Sequence, residues 1–481
     1  MAEAHFMRMT RQEIEDGSWL EQARAAWSND RVGLILIEPE PSGDTELRQA
    51  VETMLDSNGS YQAGDHAVIH SRPAALALAC ETAQLLQERG ISVKIVFGMT
   101  TLARGIHTLL RAVYAPSSSS KQLDSGGQHA ATYDFPTADP RRLDGIVACY
   151  RALLHAIEEE GRAHWIVPIG TSPDPDTADV PALDLFTKVA SRALAPIGLM
   201  RNSGQIRSHD IWLNPNQLDV DRLNKGLPAE QHWTLAEWRS LIFRSMAVSA
   251  EQLHKLAMGI EGVRLTIKAS LGGGTLRYQR DDGTDFTYRV AGRPIILDCG
   301  RVGENSLGGT APFSSAITNQ PTTEVFVGPI EDSMNGRIIF DVPERTVHGV
   351  IRAPYRIEIS AGKVTSVDAP DDESRRILRN YTGLETYDGI ALSGDEATAF
   401  TTRRIIAEMA IAGFNPVMLP EIQSGRLRPV TGLVLTDEKL GDHQAFGAND
   451  QFNGNTPSSC GDHRVEHTDF VGGIKRKLTL E

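Results

Sequence analysis

Three histidines and an aspartate near the end of the chain are the residues best suited to chemistry. His443 comes first, His463 follows, and His467 stands two positions before Asp469 in the stretch His467-Thr468-Asp469-Phe470. Because residues i and i+2 of a β-strand point to the same face, one short strand would present this imidazole and carboxylate side by side. Imidazole and carboxylate are common ligands of divalent metals. The alternative interpretation is three unconnected histidines near a chain end.

Two glutamates stand out as carboxylates that would join these histidines. Glu324 is the single charge in the stretch 319–329, and Glu408 lies in the apolar stretch 405–412. An unpaired charge is costly to bury in such surroundings, so each needs a partner or a metal. The alternatives are a helix surface position for Glu408 and a strand-edge position for Glu324. The periodicity of the sequence does not decide between these interpretations.

Composition excludes several classes of protein. The chain has 481 residues, 41% of them hydrophobic and 23% charged, which is ordinary for a globular protein. The formal net charge of −14 argues against a nucleic-acid partner, because such proteins normally carry a basic patch. Four scattered cysteines without a C-x-x-C pattern fit reduced thiols in a cytoplasmic protein. We find neither a signal peptide nor an apolar run of membrane-spanning length, so no membrane association is expected.

The elements that must position these residues fall into two predicted domains. Residues 1–250 have the alternating strand and helix pattern of an α/β domain with a mostly parallel sheet. Strands are predicted at 32–37, 66–70, 91–97 and 165–169, and helices at 74–88, 100–114 and 143–160. No G-x-G-x-x-G follows any of these strands, so a dinucleotide site has no support. The Ser-, Gly- and Pro-rich segment 115–142 is predicted to be a mobile insertion.

Residues 251–481 are predicted to form an α+β domain with antiparallel sheet that carries the metal site. Short strand-like runs separated by Gly, Asp or Pro are typical of an antiparallel sheet. The runs are 263–267, 287–290, 294–297, 337–340, 347–351, 355–359 and 363–367. Helices are predicted at 371–380 and 397–411, which places Glu408 on a helix.

At these residues the chain resembles the M29 metallopeptidase family, the thermophilic-type aminopeptidases that include aminopeptidase T. The similarity spans most of the chain and is strongest after residue 260. It follows five segments in the family's order: the G-T-D segment at 283–285 with Gly292-Arg293, the N-x-P-x-x-E-V-F stretch at 319–326, an R-x-x-x-E-x-A segment at 404–410, the H-x-A-x-G segment at 443–447, and H-x-D-F at 467–470.

The resemblance implies a two-metal hydrolase. Its ligands would be Glu324, Glu408, His443, His467 and Asp469, holding two divalent ions such as Zn, Mn or Co. It also implies a homodimer acting on a peptide or a small-molecule amide.

The chain departs from the family pattern at two positions. Asp450 stands where the family has a tyrosine seven residues after the first ligand histidine, and Ala407 replaces a glycine before the second ligand glutamate. The missing tyrosine would have helped to bind or polarise the substrate carbonyl. Asp450 would instead add negative charge or an extra ligand, and either Glu324 or Asp450 would serve as general base.

Two other interpretations of the site remain open. The same superfamily includes the 2,5-dihydroxypyridine dioxygenases, which use one Fe(II) held by two histidines and one carboxylate. A site of that type would be built on His467, Asp469 and either His443 or His463. The third interpretation is a catalytically inactive binding homologue.

Overall fold

The computed structural model divides the chain into two compact units. One unit comprises 1–44 and 62–200, and the other comprises 45–61 and 201–481. Apart from a few isolated positions, the structure describes residues 6–16, 34–71, 75–97, 163–168, 204–211, 217–321, 324–346, 348–428, 437–447, 467–472 and 476–481. The prediction of domains at 1–250 and 251–481 stays a prediction.

The first unit contains a mixed sheet in the order β1-β2-β4-β3-β5. Its strands are β1 (Phe6–Met9), β2 (Leu34–Ile37), β3 (His66–Ser71), β4 (Ser92–Phe97) and β5 (Ala163–Pro168). Its helices span Arg11–Glu15 and Leu76–Glu88. Neighbouring strands run parallel except for β2 and β4, which are antiparallel.

The apolar runs of the sequence account for this sheet. Strand β2 is the sequence Leu-Ile-Leu-Ile, in which Leu34, Ile35 and Ile37 are buried, and the helix Leu76–Glu88 buries Ala79, Ala83 and Leu86. A continuous apolar run is typical of a strand covered on both faces. The predicted mostly parallel sheet and its four strands are confirmed. The predicted helix at 100–114, the insertion at 115–142 and, apart from three isolated positions, the predicted helix at 143–160 lie outside the described residues.

The second unit contains two larger antiparallel sheets. The five-stranded sheet has the order β21-β20-β19-β13-β9, and the six-stranded sheet has the order β18-β17-β14-β8-β7-β22. The strands of the unit are β6 (Ile206–Ile211), β7 (Leu276–Gln279), β8 (Asp285–Tyr288), β9 (Ile296–Asp298), β10 (Gly303–Glu304), β11 (Ser314–Ser315), β12 (Ile317–Gln320), β13 (Glu324–Val327), β14 (Asn335–Phe340), β15 (Glu344–Thr346), β16 (Gly349–Ile351), β17 (Tyr355–Ser360), β18 (Lys363–Asp368), β19 (Ile406–Ile411), β20 (His443–Gly447), β21 (His467–Val471) and β22 (Lys477–Leu480).

Smaller pairings and helices complete this unit. Strands β6 and β12 pair in parallel, while β10 with β11 and β15 with β16 form antiparallel pairs. The helices are Thr45–Asn58, Gln217–Asn224, Leu235–Met246, Ala250–Gly259, Glu261–Gly272, Asp372–Tyr381, Gly394–Thr402 and Leu419–Gln423. None of the helices in the described ranges is long and apolar enough to cross a membrane.

Aromatic side chains join the two larger sheets. Phe470 of β21 lies with its ring centroid 5.6 Å from that of Phe340 on β14, 6.0 Å from Tyr355 on β17 and 5.9 Å from Phe446 on β20. All four rings are buried in one hydrophobic core. Each aromatic ring buries a large apolar area, so this cluster fixes the five-stranded sheet against the six-stranded one.

Two sequence predictions in this unit are wrong. The run 263–267 was expected as a strand, but it lies in the helix Glu261–Gly272, whose buried residues include Val263, Thr266 and Ile267. Their i, i+3, i+4 spacing is helical, and a five-residue apolar run does not distinguish the two periods. The helix expected at 397–411 ends at Thr402, and Ile406–Ile411 forms strand β19. Every residue of that strand is buried, so the sequence does not show the alternation of apolar and polar residues that marks a half-exposed strand.

Candidate metal centre

The five-stranded sheet carries four of the predicted ligands on one face. His443 pairs with Ala410, which is two residues from Glu408, and Asp469 pairs with Ala445, which is two residues from His443. Phe326 also pairs with Ala410, and Glu324 is two residues from it. Cross-strand partners and residues two apart share a face of a sheet. Glu324, Glu408, His443 and Asp469 therefore project to the same side.

Three of these side chains approach closely enough to bind one cation. Glu408, His443 and Asp469 each offer a ligand atom, and these atoms all lie within 4.8 Å of one another. Glu408 and His443 are buried and Asp469 is partly buried. One imidazole with two carboxylates is a common ligand set for a divalent metal. We call Glu408, His443 and Asp469 the ligand triad.

Glu324 stands beside this triad. Its Oε2 atom lies 3.4 Å from His443 Nε2, and Glu408 Oε1 lies at the same 3.4 Å from that nitrogen. Glu324 Oε2 is buried and makes no hydrogen bond within the described part of the chain. A buried carboxylate oxygen costs free energy unless a donor or a positive charge lies close to it, and a metal ion at the triad would supply that charge once the His443 ring is neutral. The residues present therefore fit a metal ion.

The other predicted residues are placed only in part. The backbone of His467 lies in strand β21 opposite Gly447, as the predicted strand requires, but its side chain is outside the described residues. His463 and Asp450 lie outside them as well. Their roles stay predictions.

Three charged residues that the sequence analysis did not single out also belong to this centre. Lys439 is fully buried, and its Nζ donates to Glu324 Oε1 at 3.0 Å and lies 2.8 Å from Glu438 Oε1. Asp298 is buried on β9 opposite Glu324. Asp298 could have been found, because it ends the apolar run 295–297. The run Asp437-Glu438-Lys439 has the composition of an exposed turn and gives no such signal.

The carboxylates of the centre determine the protonation of its imidazole. Burial opposes the charged form of His443, but the hydrogen bond that its ring donates to Glu408 and the charges of Glu324 and Asp469 outweigh burial and raise its pKa to about 10. The free protein therefore holds an imidazolium here. Since a metal binds the neutral ring, a cation must displace that proton.

Burial and crowding also favour the neutral form of two acids. Burial raises the pKa of Asp298 to about 7, with Lys439 opposing the shift and Glu324 adding to it. Burial likewise raises the pKa of Glu438 to about 8, again against the effect of Lys439. Around Lys439 itself, the three carboxylates outweigh burial and hold its pKa above the ordinary value, so its amine stays charged. The negative charge of the carboxylates in this centre therefore exceeds the positive charge of Lys439 and His443.

Asp442 anchors the start of strand β20 beside His443. Its side chain is fully buried, accepts from Tyr278 Oη at 2.6 Å and from the backbone N of Ala412 at 3.1 Å, and pairs with Arg476. These bonds tie β20 to β7, to the end of β19 and to the segment before β22. Hydrogen bonds to a buried charge are among the stronger ones. They fix the backbone that presents His443.

The fold combines an α/β unit with an α+β unit that carries the candidate metal site. No family model matches the sequence, and no curated protein matches it either. Among solved structures, wild-type AmpT from Thermus thermophilus is similar over 90% of this chain and 94% of its own, with a TM-score of 0.57 and 17% identity. The resemblance to the aminopeptidase T family is thereby confirmed at the level of the fold.

A second solved structure is similar over a comparable length. The 2,5-dihydroxypyridine dioxygenase from Pseudomonas putida KT2440 matches over 92% of this chain and 95% of its own, with 15% identity and a TM-score of 0.44.

Proposed function

We propose that this chain is a metal-dependent hydrolase of the aminopeptidase type, acting on an N-terminal peptide bond or a small-molecule amide. The observation that carries the proposal is the ligand triad, with its ligand atoms within 4.8 Å and Glu324 Oε2 beside it at 3.4 Å from His443 Nε2. The fold shared with AmpT supports it. His467 on the same strand as Asp469 is proposed as a further ligand.

The ligand types favour hydrolysis over oxygen chemistry. Non-haem Fe(II) oxygenases use two histidines and one carboxylate, whereas in the described part of the site three carboxylates, Glu324, Glu408 and Asp469, lie around His443. A divalent ion held there would supply an activated water and polarise a scissile carbonyl at neutral pH.

The side chains of this centre would bind the ion and provide the general base. Glu408, His443 and Asp469 would hold the ion, and His443 would release its proton to solvent to bind as a neutral ring. Glu324 faces the same place and is proposed to serve as a ligand or as the general base, with Asp450 as the other candidate for the base. The excess of carboxylate favours a substrate with a cationic amine.

The proposal is tested by metal content and oxygen dependence together. Protein purified without chelator is analysed for metals, then assayed on aminoacyl p-nitroanilides and small amides in air and under argon. We expect bound divalent metal and equal hydrolysis in both atmospheres, lost in Glu408→Gln and Asp469→Asn. Activity that requires oxygen would favour the dioxygenase alternative. Protein that binds no metal would favour the inactive homologue.

Asp450 supplies a prediction about the substrate. A carboxylate at the position of the family's tyrosine donates no phenolic hydrogen bond to an oxyanion, and removal of one such donor costs about 10²–10³-fold in kcat. We expect weak turnover of leucyl-p-nitroanilide by the wild type and faster turnover by Asp450→Tyr. Robust wild-type turnover that Asp450→Tyr does not increase would show that the replacement is neutral.

A further inference from the structure

Lys439 is a buried charged residue to which the proposed hydrolysis assigns no role. Lysine is almost never fully buried unless it is paired, and this one has 0% exposure. Its Nζ lies 3.0 Å from Glu324 Oε1 and 2.8 Å from Glu438 Oε1, and its charge also interacts with Asp298. These carboxylates come from β13, β9 and the segment before β20, so the amine is held from several sides.

The position of Lys439 relative to the ligand triad indicates the role of the lysine. Glu324 is shared between the two: its Oε1 atom accepts from Lys439, while its Oε2 atom faces His443 Nε2 at 3.4 Å. In a two-metal site a carboxylate bridges two cations about 3.5–4 Å apart. Here the corresponding carboxylate has the lysine amine on one oxygen and the triad on the other.

We infer that the ammonium of Lys439 stands in place of a second metal ion, so that this centre binds one divalent ion at Glu408, His443 and Asp469. The inference rests on the proposed function and refines it, because the family resemblance implies two ions. A second ion at Glu324 and Glu438 would meet the positive charge of Lys439 at close range in a buried site, where like charges are poorly screened.

The inference predicts a gain of metal binding when the lysine charge is removed. In Lys439→Gln the buried carboxyl groups of Glu324 and Glu438 lose the ammonium group that both contact, and burial of a charge without a partner is costly. A divalent ion would relieve that cost. Lys439→Arg keeps the positive charge and serves as the matched control.

The experiment counts Mn²⁺ ions per chain by native mass spectrometry and elemental analysis after dialysis. The variants are expressed and dialysed with Mn²⁺ present, so that Lys439→Gln need not fold metal-free. We expect one ion in the wild type and in Lys439→Arg, and two in Lys439→Gln. The electron paramagnetic resonance spectrum of wild-type protein with excess Mn²⁺ should show an isolated ion and no spin-coupled pair.

The possible failures are distinguishable. Two ions in the wild type, or a spin-coupled pair in its spectrum, would overturn the inference and leave the metallohydrolase proposal standing, even if Lys439→Gln does not fold. One ion in both wild type and Lys439→Gln would overturn the role given to the lysine. No bound ion in any of the proteins would overturn the proposed function itself.

Discussion

At the scale of single residues, the ligand triad gives the most direct prediction. Asp469→Asn and His443→Ala each remove one of the close-set ligand atoms. Loss of a group that only supports a ligand typically costs about 10–100-fold in metal affinity, so loss of a ligand should cost more than about 100-fold. Isothermal titration with Zn²⁺ or Mn²⁺ measures this. Asp368→Asn, an exposed carboxylate on β18, is the control and should bind like the wild type. Unchanged affinity in the two triad variants would remove the basis for the site.

The raised pKa values of this centre predict how stability depends on pH. The pKa values of Asp298, Glu438 and His443 are raised to about 7, 8 and 10. Between pH 6 and 9 the folded chain therefore holds more protons at these groups than the unfolded chain does, and its stability falls as pH rises. We expect the melting temperature of the metal-free protein to drop over this range by about 3 °C or more, the shift that about 1 kcal/mol produces.

Two controls isolate the cause of that pH dependence. Saturation with a divalent ion removes the titration of His443, and Glu438→Gln removes that of Glu438, so both should flatten the profile. A melting temperature that is constant or rises from pH 6 to 9 in the metal-free protein would contradict the prediction.

The sequence singled out the candidate ligands but not the charged residues around them. The H-x-D spacing of His467 and Asp469 placed them on a strand, and the structure confirms that strand. Lys439, by contrast, is buried only because strands distant in sequence bring Glu324 and Asp298 to it. The periodicity of the sequence does not reveal such a contact, because a charged run has the same composition whether its side chains are exposed or paired in the core.

At the scale of elements, the backbone just before β20 lies in close contact with the backbone just after β21, at Gly441 and Gly472. A Cβ added at Gly441 would overlap the backbone oxygen of Gly472. A backbone atom cannot move to relieve this overlap as the end of a flexible side chain can. Gly441→Ala should therefore destabilise the protein by about 1–3 kcal/mol and displace His443, two residues away. We expect weaker metal binding together with a lower urea midpoint.

A second glycine provides the matched control. A Cβ at Gly336 of β14 would overlap the backbone oxygen of Asp285, in the six-stranded sheet. Gly336→Ala should lower the urea midpoint in the same way but leave metal affinity unchanged. If both variants weaken metal binding equally, the effect reflects general loss of stability and not the packing of β20.

Secondary structure was predictable where one face of an element is exposed. The helix expected at 371–380 is found at Asp372–Tyr381, with its buried residues on one side. Strand β19 was mistaken for helix because all six of its residues are buried, so no polar face marks its period. The error matters because Glu408 shares a sheet face with His443 only if its segment is a strand.

At the scale of the whole molecule, the second unit includes a segment from the first part of the chain. The helix Thr45–Asn58 packs against the helix Leu235–Met246 and buries Leu47, Val51, Met54 and Leu55. Arg207 Nη1 donates to Ser60 O at 2.8 Å, and Tyr61 Oη lies 3.0 Å from His209 Nδ1. These contacts make residues 45–61 part of the core of that unit.

A fragment of residues 201–481 should accordingly be unstable. Each large apolar side chain that loses its burial costs about 1.5–3 kcal/mol, and the helix carries four of them. We expect the bare fragment to aggregate, and a fusion of 45–61 to it through a flexible linker to melt cooperatively. The same fusion with Leu55→Asp is the control and should behave like the bare fragment. A bare fragment as stable as the fusion would show that the helix is dispensable.

The origin of that helix also affects how the protein is made. Residues 45–61 leave the ribosome long before 235–246 are synthesised, and at about 5–20 residues per second the interval is on the order of ten seconds or more. During that time the apolar side of the helix has no native partner. Chains caught at this stage therefore present a natural target for a nascent-chain chaperone, and slowing of translation between the two segments should lower the yield of folded protein.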